Sequence, residues 1–159
     1  MKSSPYITAQ GMTRLNDELN QLWVRRREVV AALSAAAAEG DRSENAEYIY
    51  RKKELRGLDR RIRYLQKRMP DLRVVADIPD NADKIFFAAW VTLENEQGEE
   101  VEYRIVGPDE IDHQKGNISL DSPLAQALLG KEVDDEVTIR VQEGSKKYFV
   151  VAIRYQSND

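Results

Sequence analysis

From Met12 the apolar residues recur as Met12, Leu15, Leu19, Leu22, Val29 and Leu33, steps of three and four interrupted only by Arg26. This spacing draws a seam along one face of a helix, and Thr8 stands where an N-cap belongs. A second seam runs Tyr48, Arg51, Leu55, Leu58, Ile62, Leu65 and Met69 before Pro70 ends it. Each seam needs a partner, and each suits the other. Between them Gly40 fits a C-terminal helix cap, and Asp41 or Ser43 fits the N-cap of the second helix. So short a connection makes the helices antiparallel neighbours. A first helix of ~30 residues rises roughly 45 Å, too slender to form a core alone, so it is expected to project from an anchor.

After Pro70 the pattern changes to alternation. Residues 85–93 are rich in aromatic and β-branched side chains, residues 99–106 alternate around Val101, Tyr103 and Ile105, and Asn95, Glu96, Gln97 and Gly98 supply the turn of a hairpin. Asp121, Ser122 and Pro123 open a short helix that Gly130 stops, and strand patterns return at 136–141 and 148–155. The expectation is an α+β chain in two domains. Residues 1–75 form an antiparallel coiled-coil hairpin with its tip at 40–47, and residues 76–159 a globular antiparallel sheet with a short helix.

Charge divides at the same place. The whole chain of 159 residues carries 24 Lys and Arg against 28 Asp and Glu, a net charge of −4. Residues 1–75 hold 16 basic and 10 acidic side chains, a net +6, whereas residues 76–159 hold 8 and 18, a net −10. The near-neutral total conceals a basic module joined to an acidic one, whose partners need not be alike. With no Cys and one His, disulfides, thiol nucleophiles and Cys- or His-rich metal sites are excluded. No stretch reaches the ~20 apolar residues of a membrane span and the N-terminus lacks a signal-peptide core, so a cytoplasmic protein is expected.

Three features could carry chemistry. At the tip, Asp41, Glu44 and Glu47 crowd carboxylates into about one helical turn. Asp41 with Glu44 three residues later also reads as a capping box, and acids there complement the helix dipole. One or two carboxylates hold Mg²⁺ poorly, because the ion favours six oxygen ligands, so a metal role makes sense only inside a partner's site. Along the second helix, Arg51, Lys52, Lys53, Arg56, Arg60, Arg61, Arg63, Lys67 and Arg68 face few acids, chiefly Glu54 and Asp59. They form either a solvated face or a salt-dependent phosphate contact that reads no base sequence, with Arg25, Arg26 and Arg27 extending it. The aromatic group Phe86, Phe87, Trp90, Tyr103, Tyr148, Phe149 and Tyr155 reads as core, with a peptide-binding groove as the alternative. His113 reads as a solvated loop residue, and neither Ser119 nor Ser122 sits in a nucleophile elbow.

Three stretches resemble one family: Gly40-Asp41-Arg42-Ser43-Glu44-Asn45-Ala46-Glu47-Tyr48, Asp59-Arg60-Arg61-Ile62-Arg63-Tyr64-Leu65, and the run from Ile118 through Asp121-Ser122-Pro123 to Lys131. They are similar to the bacterial transcript cleavage factors GreA and GreB, over nearly the whole chain. Arg42-Ser43, Leu22-Trp23 and the basic second helix look closer to the GreB branch, while Glu47 departs from that branch's aspartate. The resemblance implies a C-terminal domain similar to FKBP-type isomerases, though the family is not known for isomerase activity. It also implies bacterial RNA polymerase as partner. The globular domain would dock at the secondary-channel rim through Asp121, Ser122 and Pro123, and the hairpin would enter the channel. Asp41 and Glu44 would then serve as the functional pair, donated to the polymerase active site to help retain a second Mg²⁺ shared with the polymerase. The basic residues Arg51, Lys52, Lys53, Arg56, Arg60 and Arg61 would hold the extruded 3′ segment of nascent RNA, with Tyr48 or Tyr64 able to stack on a base. The chain would activate another enzyme's nuclease activity, with no stable metal of its own, and is expected to be monomeric when free. The rival readings are a channel-binding inhibitor of the polymerase, a prolyl isomerase or chaperone, and a plain coiled-coil adaptor.

Overall fold

The computed structural model describes residues 3–39 and 45–156. In chain order the elements are β1 (Tyr6–Thr8), α1 (Ala9–Ala37), α2 (Ala46–Arg68), a 3₁₀ turn (Met69–Asp71), β2 (Arg73–Val75), β3 (Trp90–Glu94), β4 (Glu100–Val106), β5 (Asn117–Ser119), α3 (Pro123–Leu128), β6 (Glu136–Val141) and β7 (Gly144–Arg154). They fall into two compact units. Residues 12–72 make one, and residues 1–11 with 73–159 make the other. The expected boundary at Val75 is thereby corrected, since the first eleven residues belong with the globular unit.

In the helical unit the two seams meet as expected. Leu15, Val29, Ala36, Ile62 and Leu65 are buried, and the remaining seam positions, Arg26 and Arg51 included, are half-buried. Three ion pairs tie the helices in antiparallel register: Arg61 to Glu18 at 2.6 Å, Arg26 to Asp59 at 2.6 Å and Arg25 to Glu54 at 2.9 Å. Arg26, the apparent interruption of the first seam, is a cross-helix clamp whose guanidinium also lies 6.0 Å from the Trp23 ring centre.

In the globular unit a five-stranded sheet runs β5-β4-β3-β7-β6. Ile85, Val91, Leu93, Ile105, Val137 and Val150 pack with Ala125 and Leu128 of α3 into its core. Pairings β4-β3, β3-β7 and β7-β6 are antiparallel, as expected, but β5 lies parallel to β4, so the sheet is mixed. A second difference is the separate parallel pairing of β1 with β2. The strand expected over 85–93 begins only at Trp90. Ahead of it Ala88 takes φ 75°, and its N–H donates to the Ile105 carbonyl in a turn that buries Ile85 and Ala89 without strand pairing. The aromatic core is likewise partial. Phe87, Tyr103, Tyr148 and Tyr155 pack on it, Phe86 and Phe149 are exposed, and Trp90 lies with the Arg104 and Arg154 guanidiniums 3.7 and 4.5 Å from its ring centre.

Thr8 caps α1 as expected, accepting the Gly11 N–H at 3.0 Å. A residue the pattern does not single out completes this corner. The Glu110 carboxylate, only 7% exposed, accepts the backbone N–H groups of Thr8 at 2.9 Å and Gly107 at 2.8 Å, and the Thr8 hydroxyl. A Cβ on Gly11 would stand 2.0 Å from Glu110 Oε1. Gly11→Ala is therefore expected to destabilise the chain by about 2–3 kcal/mol, as overpacking at a fixed polar knot does. Equilibrium denaturation of full-length protein reads this, and an unchanged midpoint would remove Glu110 as an anchor of the first strand.

Candidate functional site

The tip is built from its flanks. α2 begins at Ala46 with Asn45 as its N-cap: Asn45 Oδ1 accepts the Tyr48 N–H at 3.1 Å, and its Nδ2 donates to the Ala36 carbonyl at the end of α1 at 2.8 Å. One side chain closes the second helix and ties it to the last turn of the first. This corrects the expectation that Asp41 or Ser43 caps α2, and with it the capping-box reading of Asp41 and Glu44, because a different residue performs that task. Asp41, Glu44 and Gly40 lie outside the described residues. Glu47 sits in the first turn of α2 and pairs with Arg51 at 2.8 Å, a local i,i+4 bridge. Asn45→Ala is expected to cost about 1–2 kcal/mol through loss of the cap and the cross-helix bond. Asn45→Asp, which keeps the acceptor and loses the donor, should fall between wild type and Ala in thermal unfolding.

Along α2 the cations before Arg68 sort into two groups. Arg51 is held by Glu47 and by Glu54 at 2.9 Å, and Arg61 by Glu18, with its guanidinium 5.3 Å from the Tyr64 ring centre. Hydrogen bonding to Arg25 first, and to Arg51 after it, holds the Glu54 carboxyl below its ordinary range. Glu54 and Asp59, the acids that could neutralise the helix, are thus spent on the seam side. Arg25 and Arg26 are spent there too and do not extend the basic patch.

The second group is Lys52, Lys53, Arg56, Arg60, Arg63 and Lys67. All six are exposed, and none of them forms an ion pair among the described residues. From Lys53 to Lys67 their steps of three and four keep them on one stripe, about 21 Å long at ~1.5 Å per residue. At the tip end, Tyr48, Ile49, Lys52, Lys53, Arg56 and Arg60 line a shallow groove, with the Lys52 ammonium 5.6 Å from the Tyr48 ring centre and Ile49 53% exposed. Apolar floor and cationic rim together suit an unstacked nucleotide better than a bare charge patch does. Tyr64, also exposed, lies beside the paired Arg61.

In the globular unit Ser122 caps α3, accepting the Ala125 N–H at 3.2 Å, and Pro123 takes the first helical position. Asp121 is exposed and its carboxylate accepts the Ser4 N–H at 2.9 Å and the Ser4 hydroxyl. The three residues therefore form one ordered corner. The Ser119 hydroxyl accepts the Asp121 N–H at 3.0 Å, and His113 is exposed in a 3₁₀ turn capped by Asp112, so neither is arranged for catalysis. Among the described residues no group of three or more His, Cys, Asp or Glu could hold a metal, and no helix is long and apolar enough to cross a membrane.

Comparison with known proteins converges on one family. Residues 5–74 match the model described as "Transcription elongation factor, N-terminal", and residues 79–155 match "Transcription elongation factor, GreA/GreB, C-term". Transcription elongation factor GreB of Pseudomonas aeruginosa is 56% identical over 153 residues, covering 96% of this chain and 91% of that protein. GreB of Xanthomonas axonopodis pv. citri is 57% identical over 158 residues, covering 98% and 94%. Among solved structures, GreA factor homolog 1 (Gfh1) of Thermus thermophilus is 25% identical with a TM-score of 0.43, covering 94% and 97%. On the two family models, which together span almost all of the sequence, the chain belongs to the GreA/GreB family of transcription elongation factors.

Proposed function

We propose that the chain acts on bacterial RNA polymerase at its secondary channel and stimulates the polymerase's own endonucleolytic cleavage of the 3′ RNA in backtracked, arrested complexes. The observation that carries the reading is the division of labour along the hairpin. Acids flanking the seam are consumed by Arg25, Arg26, Arg51 and Arg61, while the exposed face of α2 keeps a stripe of cations that form no ion pair among the described residues. A coiled coil serving only as an adaptor has no use for that asymmetry. A chain of phosphates does.

The tip contributes carboxylate oxygens, the ligand class that Mg²⁺ takes, and two are too few to fill its six positions. Asp41 and Glu44 would therefore hold such an ion only together with carboxylates of the polymerase. A second divalent ion supplies stabilisation of the entering and departing oxygens in phosphodiester hydrolysis. The chain's own part is to bring two carboxylates to the site on a hairpin end braced by Asn45. Lys52, Lys53, Arg56 and Arg60 grip the phosphates of the extruded strand, and the Tyr48–Ile49 groove accommodates a base. Polymerase contact falls to the corner of Asp121, Ser122 and Pro123. On this reading the chain is an activator rather than a nuclease.

Adding the purified chain to halted, backtracked polymerase complexes tests this. Release of short 3′ RNA fragments followed by resumed extension is the expected result. Uncut RNA with slowed synthesis would instead support a channel-binding inhibitor.

A further inference from the structure

We infer that the free edge of the sheet pairs two copies of this chain through antiparallel self-association of β6. Strand β6 ends the sheet, with β7 on one side. In the hairpin that joins them, Val141 faces Gly144 across Gln142 and Glu143, Ile139 faces Lys146 and Val137 faces Tyr148. In a two-residue hairpin the closing pair exchanges hydrogen bonds, and alternate pairs do so thereafter. The Asp135 carbonyl, which accepts the Val150 N–H at 3.0 Å, keeps the same parity. Residues 137, 139 and 141 therefore turn their backbone groups toward β7, as the Asp135 carbonyl does. Glu136, Thr138 and Arg140 turn theirs outward to the open edge, and their side chains are exposed.

That edge is complementary to itself. A two-fold axis through Thr138 sets Thr138 opposite Thr138 of a second copy, Glu136 opposite its Arg140 and Arg140 opposite its Glu136. All three pairs fall on residues whose N–H and C=O already point outward, so each is a hydrogen-bonded pair. On the exposed face, opposite charges stand directly across from one another at both ends with two threonines in the middle, a favourable cross-strand set. On the inner face, Val137 stands across from Ile139. A slip by one residue would turn inward-pointing backbone groups to the partner, so the parity fixes the register. β6 carries no Pro, no Lys and no bulge, and its two edge charges, Glu136 and Arg140, are of opposite sign and so meet their complements in the pairing. Glu136 has one competing contact, Lys147 Nζ at 3.5 Å, an exposed pair of little weight. The occupant is thus a second copy, in departure from the monomer expected of the sequence. A six-residue strand pairing is smaller than a standard interface of about 1,200–2,000 Å², so association appears only at high concentration.

Sedimentation of the full chain from about 5 to about 500 µM, a range suited to a sub-standard interface, tests this. The mean mass is expected to climb toward twice that of the monomer. Amide exchange at Glu136, Thr138 and Arg140 should slow over the same range, while Val137 and Ile139 stay equally protected throughout. Thr138→Pro removes an outward N–H and leaves the β7 ladder intact, so it should stay monomeric. Glu136→Arg and Arg140→Glu, each of which sets like charges opposite, should be monomeric alone, associate when mixed with each other, and associate again when combined in one chain. A constant mass for wild type, association that survives Thr138→Pro, or a combined variant no better than the single ones would each overturn the pairing.

Discussion

Asp41→Ala is expected to lower factor-stimulated transcript cleavage by about two orders of magnitude or more, the scale of losing a charged group that acts on the transition state, while leaving polymerase binding nearly unchanged. Asn45 caps α2 and bonds the Ala36 carbonyl, so the cap of α2 and its tie to the last turn of α1 are supplied by a residue other than Asp41. Removing the Asp41 carboxylate should then leave thermal unfolding within about a degree of wild type, since caps are what such substitutions normally destroy. Asn45→Ala predicts the reverse: an unfolding midpoint lower by several degrees, with cleavage reduced only so far as the end loses order. Binding competition against wild-type chain separates the two outcomes. Equal losses of stability and cleavage in Asp41→Ala would return that residue to a structural role.

The second large effect belongs to the exposed stripe. Reversing Lys53, Arg56 and Arg60 to Glu together should weaken RNA retention severely and reduce the slope of log affinity against log salt by about 2, since each phosphate contact to a single strand contributes roughly 0.7. The hairpin should stay folded, because none of the three forms an ion pair among the described residues. Arg61→Glu provides the contrast. It breaks the 2.6 Å bridge to Glu18 and sets two carboxylates face to face, so its first effect is on unfolding rather than on the salt slope. If the triple reversal leaves both retention and slope unchanged, RNA does not lie along this face.

Much of this was legible from spacing alone. The two seams, the β6 and β4 strands, the Ser122 cap and the opposition of charge between the halves all follow from local pattern, because in each the residues that decide the element lie within a few positions of one another. What escaped depends on partners far away in sequence. Asp41, Ser43 and Asn45 are all competent caps by residue type, and the bond from Asn45 to Ala36, nine residues back, is not visible in local pattern. β1 pairs with β2 across more than sixty residues, and β5 has three residues, too few to show alternation. Arg25 and Arg26 looked like extra patch, though Arg26 falls on the seam and could have been assigned to a cross-helix bridge by its position. Glu110 gave no signal beyond Gly11, the glycine that its carboxylate requires nearby. The carboxylates of Asp41 and Glu44 were singled out by type and place, and their proposed chemistry needs ligands from another protein.

Carboxylates supplied by the hairpin end to a shared divalent ion would change how cleavage depends on Mg²⁺. In halted complexes the wild-type chain should lower the Mg²⁺ concentration giving half-maximal cleavage by about tenfold, the equivalent of ~1.4 kcal/mol of added ion affinity. Asp41→Ala, bound to the same extent, should leave that concentration where the polymerase alone has it. If wild type raises the maximal rate without moving the half-maximal Mg²⁺ concentration, the carboxylates of the hairpin end are not ligands of the ion.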